Sequence, residues 1–354
     1  MTRLLVIDDS PLMRRLVGAA FAGQPDFTLA FAADGAAALE QARHFLPDVI
    51  TLDVNMPGLD GLACLDRLML ERPCPVVMLS ALTEAGADAT LAAMQLGAVD
   101  VIAKPAGAIS LAMEEFGPLL VERVRAASRA RVRRSLRLAE RVRLQVGTVA
   151  AQPAPTPLLA GRAPADAVVL VGCSTGGPPA LDALLSALPA GFPWPVLVAQ
   201  HMPASFTAAL ARRLDRLCAL EVVEVTRPLV LRPGLVCIGR GDADLVLAPR
   251  PGGPVAMAVP ADPAYRWHPS VDRLVESALR CLPAPRLLGV LMTGMGDDGA
   301  ATMTRLLQAG GRTIAEAESS AVVWGMPGEL VRAGGAGVVL PLGRIGAQLR
   351  AWAA

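Results

Sequence analysis

Short apolar runs alternate with amphipathic stretches along nearly the whole of this chain, and that rhythm admits few folds. In the first 122 residues the runs fall at 4–8, 28–32, 49–53, 76–80 and 101–103, with helical spacing at 11–21, 35–45, 62–71 and 86–96. Strands alternating with helices argue for a parallel, doubly wound sheet. The expectation is an α/β protein whose domain at 1–122 holds five parallel strands. An arginine-rich stretch follows at 121–143, with apolar residues at three- and four-residue steps, and reads as a solvated helix face. Residues 147–165 are rich in Pro and Ala without periodicity and read as a semi-extended linker, so 123–165 is expected to connect two domains. The alternation resumes over 166–354, which reads as a second doubly wound, mainly parallel α/β domain. A β-rich patch around 221–259 interrupts it, and the turn Pro251-Gly-Gly-Pro254 predicts a β-hairpin there.

Composition narrows the function classes. The 354 residues suffice for two full cores. Although 53% of residues are hydrophobic, no run approaches 18 apolar residues without a charge, Pro or Gly, so no membrane insertion is expected. Asp8 and Asp9 follow the first run too soon for a signal peptide, which points to the cytoplasm. A formal net charge of +1 and the lack of a basic recognition helix give no drive toward nucleic acid. The six cysteines are scattered without metal-type spacing and read as reduced, packed thiols.

Chemistry concentrates where the predicted strands end. In the first domain Asp8, Asp9 and Asp53 end two strands, Ser80 a third, and Lys104 follows a fourth. In a doubly wound sheet those carboxyl ends meet in one crevice. Three carboxylates there repel unless a divalent cation neutralises them, and oxygen ligands favour magnesium. A metal, a nucleophilic carboxylate and donors for phosphoryl oxygens form a kit for phosphorylating an aspartate. Any one acid alone is better read as a helix cap; matched strand ends tip the balance. Val-Ile-Asp-Asp-Ser10, Leu52-Asp-Val-Asn-Met-Pro-Gly, Val77-Met-Leu-Ser-Ala and Ala103-Lys-Pro resemble the receiver domain of two-component response regulators. The resemblance implies Asp53 as phospho-acceptor and a magnesium ion held by Asp9, Asp53 and the Asn55 carbonyl, with Asp8 assisting. It also implies Ser80 and Lys104 as phosphoryl sensors and a histidine kinase as donor. Many receivers carry an aromatic switch residue where Val101 stands, so coupling here is expected to differ from a rotating ring.

In the second domain, the apolar run 168–171 breaks into Gly172-Cys-Ser-Thr-Gly-Gly177 and then a helix-forming stretch. Such a turn places the Ser174 hydroxyl near a helix amino terminus. A phosphate cradle is the default reading of a Gly-rich turn, but neither the dinucleotide nor the P-loop spacing is present. Two further runs end at His201 and at Thr293-Gly-Met-Gly-Asp-Asp-Gly299. A hydroxyl, an imidazole and a carboxylate at one sheet edge make a nucleophilic hydrolase site. His201 alone is better read as structural, but the chain has only His44, His201 and His268 to offer as base. His44 lies in the first domain, and His268 precedes a predicted helix start. The order Ser…His…Asp and the absence of a GxSxG elbow argue against the α/β-hydrolases.

The turn at 172–177, Gln200-His-Met-Pro203, His268-Pro-Ser-Val-Asp272 and Leu291-Met-Thr-Gly-Met-Gly-Asp-Asp-Gly-Ala300 resemble the catalytic domain of the chemotaxis protein-glutamate methylesterase (CheB) family. A receiver followed by this domain is that family's architecture. The resemblance implies Ser174 as nucleophile, His201 as base and Asp298 as its orienting carboxylate. Asp297 fills the variable place of the Gly-Met-Gly-x-Asp-Gly pattern and is the weaker candidate. It further implies the Met295 N–H as oxyanion donor and Thr175 as a residue positioning the imidazole. Cys173 falls where the family carries small residues and reads as packed and inert. The implied reaction is hydrolysis of glutamyl methyl esters, and deamidation of selected glutamines, on the cytoplasmic helices of chemoreceptors. No cofactor is implied for that step. The unphosphorylated receiver is expected to restrain the hydrolase. The competing function is a regulator whose output domain binds a nucleotide or protein without catalysis.

Overall fold

The computed structural model describes residues 1–81, 83–105, 109–131 and 166–354. They fall in two compact units, Met1–Thr156 and Pro157–Ala354. The predicted linker beyond residue 131 lies outside the described residues.

The first unit runs β1 (Thr2–Ile7), α1 (Pro11–Phe21), β2 (Phe27–Ala32), α2 (Gly35–Phe45), β3 (Val49–Asp53), α3 (Gly61–Glu71), β4 (Val76–Ser80), α4 (Glu84–Leu96), β5 (Asp100–Ala103) and α5 (Ile109–Ala127). Strand order is β2-β1-β3-β4-β5, every pairing parallel. The helices start where side chains satisfy the first-turn N–H groups: Ser10, Asp34 and Asp60 each accept from the N–H three residues on. The buried strands β3 and β4 form the sheet's centre. In α5 the arginines depart from the solvated face expected of them. Arg123 is buried, its guanidinium 3.0 Å from Asp100, while Arg125 pairs with Asp26 and lies over the Phe27 ring. Each finds a carboxylate from a neighbouring element, which is what permits a guanidinium to leave water.

The second unit begins with β6 (Val168–Cys173), α6 (Gly177–Ser186), β7 (Val196–Gln200), α7 (Ala204–Leu217), β8 (Glu221–Glu224), β9 (Leu229–Val230), β10 (Leu235–Ile238), β11 (Ala243–Ala248) and β12 (Val255–Pro260). It continues through α8 (Val271–Cys281), β13 (Leu287–Leu291), α9 (Ala300–Gln308), β14 (Arg312–Glu316), α10 (Met326–Arg332), β15 (Val338–Leu340) and α11 (Leu342–Ala353). Seven strands pair in the order β15-β14-β13-β6-β7-β10-β8, all parallel. The expected hairpin is present: β11 and β12 pair antiparallel around the 249–254 turn, with β9 added to form a separate three-stranded sheet. The β-rich patch is not one insertion, however, because β8 and β10 extend the main sheet. Strand β6 lies between β13 and β7, so the chain turns outward from it in both directions. That reversal opens a crevice at the strands' carboxyl ends, where ligands bind in open α/β sheets. Among the described residues no helix is long and apolar enough to cross a membrane.

Candidate active site

At the carboxyl edge of the first sheet, Asp8 and Asp53 are buried and Asp9 is exposed, and their carboxylate oxygens lie within 4.8 Å of one another. The Lys104 ammonium bridges Asp8 at 2.8 Å and Asp53 at 2.7 Å. Burial, assisted by the neighbouring Asp8 charge, pushes the Asp53 carboxyl above its ordinary range despite Lys104. Burial opposes the charge on Lys104, but the two carboxylates hold it protonated above its usual value. The exposed Asn55 is tied down through its N–H, which donates to Asp53 at 3.2 Å. Ser80 is fully buried, its hydroxyl donating to the Gly86 carbonyl at 3.3 Å. Val101 is buried within β5 and offers no ring to rotate.

In the second unit the three candidate residues follow adjacent strands. Ser174 and His201 come directly after Cys173 and Gln200, which are register partners in β6 and β7, and the His201 N–H donates to the Cys173 carbonyl at 3.0 Å. Asp298 follows β13 on the other side of β6. His201 Nε2 meets Asp298 Oδ2 at 2.7 Å, both side chains buried. A carboxylate only accepts, so Nε2 carries a proton, and in the neutral ring Nδ1 has the lone pair. That Nδ1 is buried and, among the described residues, has no hydrogen-bond partner. Asp297 is exposed.

Asp298 has a second duty. Its oxygens also accept the N–H groups of Val271 at 2.7 Å and Asp272 at 2.9 Å, and the Ser270 hydroxyl at 3.1 Å, all at the start of α8. Burial alone would raise its pKa, but His201 and these amides hold the carboxyl below its ordinary range. Nearby Asp272 behaves oppositely: burial and the Asp298 charge push it up to about 6, although Thr302 donates to it at 2.6 Å.

The loop after β13 packs Gly294 against the Ser174 turn. Ser174 N–H donates to the Thr293 carbonyl at 2.9 Å, and the Thr293 hydroxyl donates to the Thr175 carbonyl at 2.9 Å. Thr175 itself is buried. Gly294 leaves no space for a side chain: a Cβ would strike Met326 Sδ and lie 2.8 Å from Ser174 Cβ. Gly294→Ala should therefore force Met295 away from Ser174. We expect kcat to fall by about 10²-fold, the cost of an ångström-scale misplacement. A kcat within about threefold of the parent, read with the thermal midpoint, would argue against this packing.

The CheB methylesterase family model matches residues 169–349, and the response regulator receiver domain model matches residues 4–113. This chain belongs to the CheB methylesterase family. It is 58% identical over 359 residues to the "protein-glutamate methylesterase/protein-glutamine glutaminase 2" of Rhodopseudomonas palustris, covering 99% of this chain and 98% of the relative. With the corresponding protein numbered 3 of Rhodospirillum rubrum it shares 52% over 356 residues, covering 99% and 96%. The crystal structure of the Thermotoga maritima CheB methylesterase catalytic domain superposes with a TM-score of 0.50 at 36% identity, covering 52% of this chain and 97% of that one. These likenesses do not favour a non-catalytic output domain.

Several residues shape this CheB site in roles that the sequence alone did not assign. Gln200 ties the Ser174 and His201 turns together: its Nε2 donates to the carbonyls of Ser174 and His201, each at 3.0 Å, and its side chain fills the space beside Gly177. Fully buried Glu316 accepts the Thr293 N–H at 2.8 Å and the Ser320 hydroxyl at 2.8 Å, fixing the residue ahead of the Gly294-Met295 loop. His268 shares a 2.9 Å hydrogen bond with Asp244 through Nδ1, which makes it an anchor for the segment entering α8. Trp267 stacks on the His201 ring. Their signal was weak because each is an ordinary strand-end or loop residue until the fold brings its partner close.

Proposed function

We propose that this chain is a phosphorylation-regulated serine hydrolase of the cytoplasm. Its substrates would be glutamyl methyl esters, and selected glutamine amides, on the cytoplasmic helices of chemoreceptors. The observation that carries this reading is the buried His201–Asp298 pair beside the Ser174 turn, its Nδ1 lone pair uncommitted. Ser174 Oγ attacks the ester carbonyl as its proton passes to Nδ1. Carbonyl electrons move onto oxygen, where the Met295 N–H donates. Asp298 keeps the proton on Nε2 and stabilises the imidazolium, and Thr175 helps hold the ring. Collapse expels methoxide, which takes the imidazolium proton and leaves as methanol. Water then gives a proton to Nδ1 as it attacks the acyl carbonyl, and collapse breaks the bond to Ser174 Oγ, which takes that proton back from Nδ1 as glutamate is released.

In the receiver, Asp53 takes a phosphoryl group from a histidine kinase. The clustered oxygens of Asp8, Asp9 and Asp53 suit a hard divalent cation, to which the Asn55 carbonyl would add a further oxygen, while Lys104 already balances part of the charge on Asp8 and Asp53. Asp9, Asp53 and the Asn55 carbonyl, with Asp8 assisting, would hold a magnesium ion, which when bound would supply charge neutralisation for an incoming phosphoryl group. Ser80 and Lys104 bind the transferred oxygens, for which Lys104 releases a carboxylate partner. Phosphorylation shifts the enzyme between resting and active arrangements.

The test is methanol release from methylated receptor membranes, with and without a small phosphoryl donor. Methanol should appear, and phosphorylation should raise the rate about tenfold if the resting arrangement is favoured by about 1.4 kcal/mol. Asp53→Asn should keep the basal rate and lose the response. No methanol in either condition would sink the hydrolase reading, and an unchanged response in Asp53→Asn would sink the phospho-acceptor.

A further inference from the structure

Asp298 fixes one corner of the His201 imidazole. A single hydrogen bond at Nε2 does not by itself set the plane of the buried ring, and Nδ1 has no hydrogen-bond partner among the described residues. A general base works only if its lone pair points at the hydroxyl it serves. Something must therefore fix the plane of the ring. Trp267 lies against it, ring centroids 5.7 Å apart and planes 16° from parallel, an offset stack. Its indole is half-buried, and its Nε1 sits beside Gly296 in the loop that carries Met295.

Trp267 is itself held from both ends. The Arg266 guanidinium lies 5.0 Å from the indole centroid. On the other side, His268 and Ser270 are clamped by Asp244 of β11: Nδ1 of His268 at 2.9 Å, and the Ser270 N–H donating at 2.7 Å. Asp244 is fully buried and also accepts from Arg273 at 2.6 Å. Burial would raise its pKa, but these donors hold the carboxyl below its ordinary range, so the clamp is charged. Ser270 then reaches Asp298. The segment 266–270 thus touches the face of His201 and the carboxylate at its edge.

We propose that Trp267 is a further positioning residue, beside Thr175, that fixes the plane of His201, and that the Asp244–His268 clamp holds Trp267 against it. The inference rests on His201 as general base. It assigns the hairpin sheet a part in catalysis, because Asp244 belongs to it.

The experiment uses the full chain with Trp267→Phe, Trp267→Leu and His268→Gln. Two quantities are read: kcat and KM on methylated receptor, and the nitrogen–proton correlations of the histidine rings without substrate. Only three histidines are present, so the His201 signals can be assigned. A flat ring should serve and a flexible aliphatic chain should not. Trp267→Phe should stay within about threefold of the parent in kcat, while Trp267→Leu should lose about 10- to 100-fold with KM within about twofold. The His201 ring signals should be sharp in the parent and Phe variant and broadened in the Leu variant. His268→Gln should move both readouts in the same direction by less. If Trp267→Leu does not fold, His268→Gln decides: unchanged kcat and sharp signals there overturn the proposal. Parent-like kcat and sharp signals in a folded Trp267→Leu also overturn it, as does a change confined to KM, which would make Trp267 a wall of the substrate site. A parent that releases no methanol, with His201 signals that broaden in Trp267→Leu, would reject the hydrolase and support the positioning role.

Discussion

Replacing either Ser174 or His201 with alanine should lower kcat for ester hydrolysis by about 10⁶-fold, and the double replacement should cost little more. The two follow register partners on neighbouring strands and, in the proposed mechanism, would act as one unit, since a serine hydroxyl is a poor nucleophile without a base to take its proton. Once either is gone, the surviving rate rests on the loop around Met295 and on substrate binding, which neither substitution touches. Single-turnover measurement of methanol release on the three variants decides the matter. Losses that multiply would mean that the residues work independently. Cys173→Ser should stay near the parent, because that thiol is fully buried and hydrogen-bonded to Gln200 at 3.1 Å.

Asp298→Asn should lower kcat by about 10⁴-fold with little change in KM, whereas Asp297→Asn should be mild. An amide in place of the carboxylate can offer Nε2 a donor where it needs an acceptor, favouring the wrong tautomer. Asp298 also receives three donors at the start of α8, and an amide has only one oxygen for all four. The same variant should therefore lose about 1–3 kcal/mol of stability, a donor left buried without a partner. Thermal unfolding beside the kinetics separates the two effects. A ranking with Asp297→Asn worse in kcat would overturn the assignment of Asp298.

How much of this was legible beforehand follows from which interactions are local. The alternation of β3 and α3 or of β6 and α6 shows in the sequence because each strand is buried along its length and mostly apolar, while each helix buries one face. Residues at strand ends share an edge by topology, so Ser174, His201 and the Asp297-Asp298 pair could be grouped without coordinates. The family pattern chose between the two aspartates, and in the structure the favoured one is buried and the other exposed. The place of β8 was not readable: Glu221-Val-Val-Glu224 is a short, partly exposed edge strand that looks like its hairpin neighbours. Arg123 was misread for a related reason, since its partner Asp100 stands 23 positions away and no helical periodicity records it. The Trp267 stack and the Asp244 clamp likewise join a loop to separate strands.

The buried thiol beside the nucleophile has a consequence for handling the protein. Cys173 ends β6 at the middle of the catalytic sheet, and burial with the neighbouring Glu316 charge raises its pKa far above that of a free cysteine. Alkylating reagents attack thiolates, so in the native enzyme this sulfur is protected by both exclusion and protonation. It becomes reactive only when the sheet opens. The rate at which the peptide carrying Cys173 is labelled, followed by mass, is then a clock for the opening of the catalytic edge. Run with a substrate analogue bound, the same clock would register how far occupancy steadies the sheet.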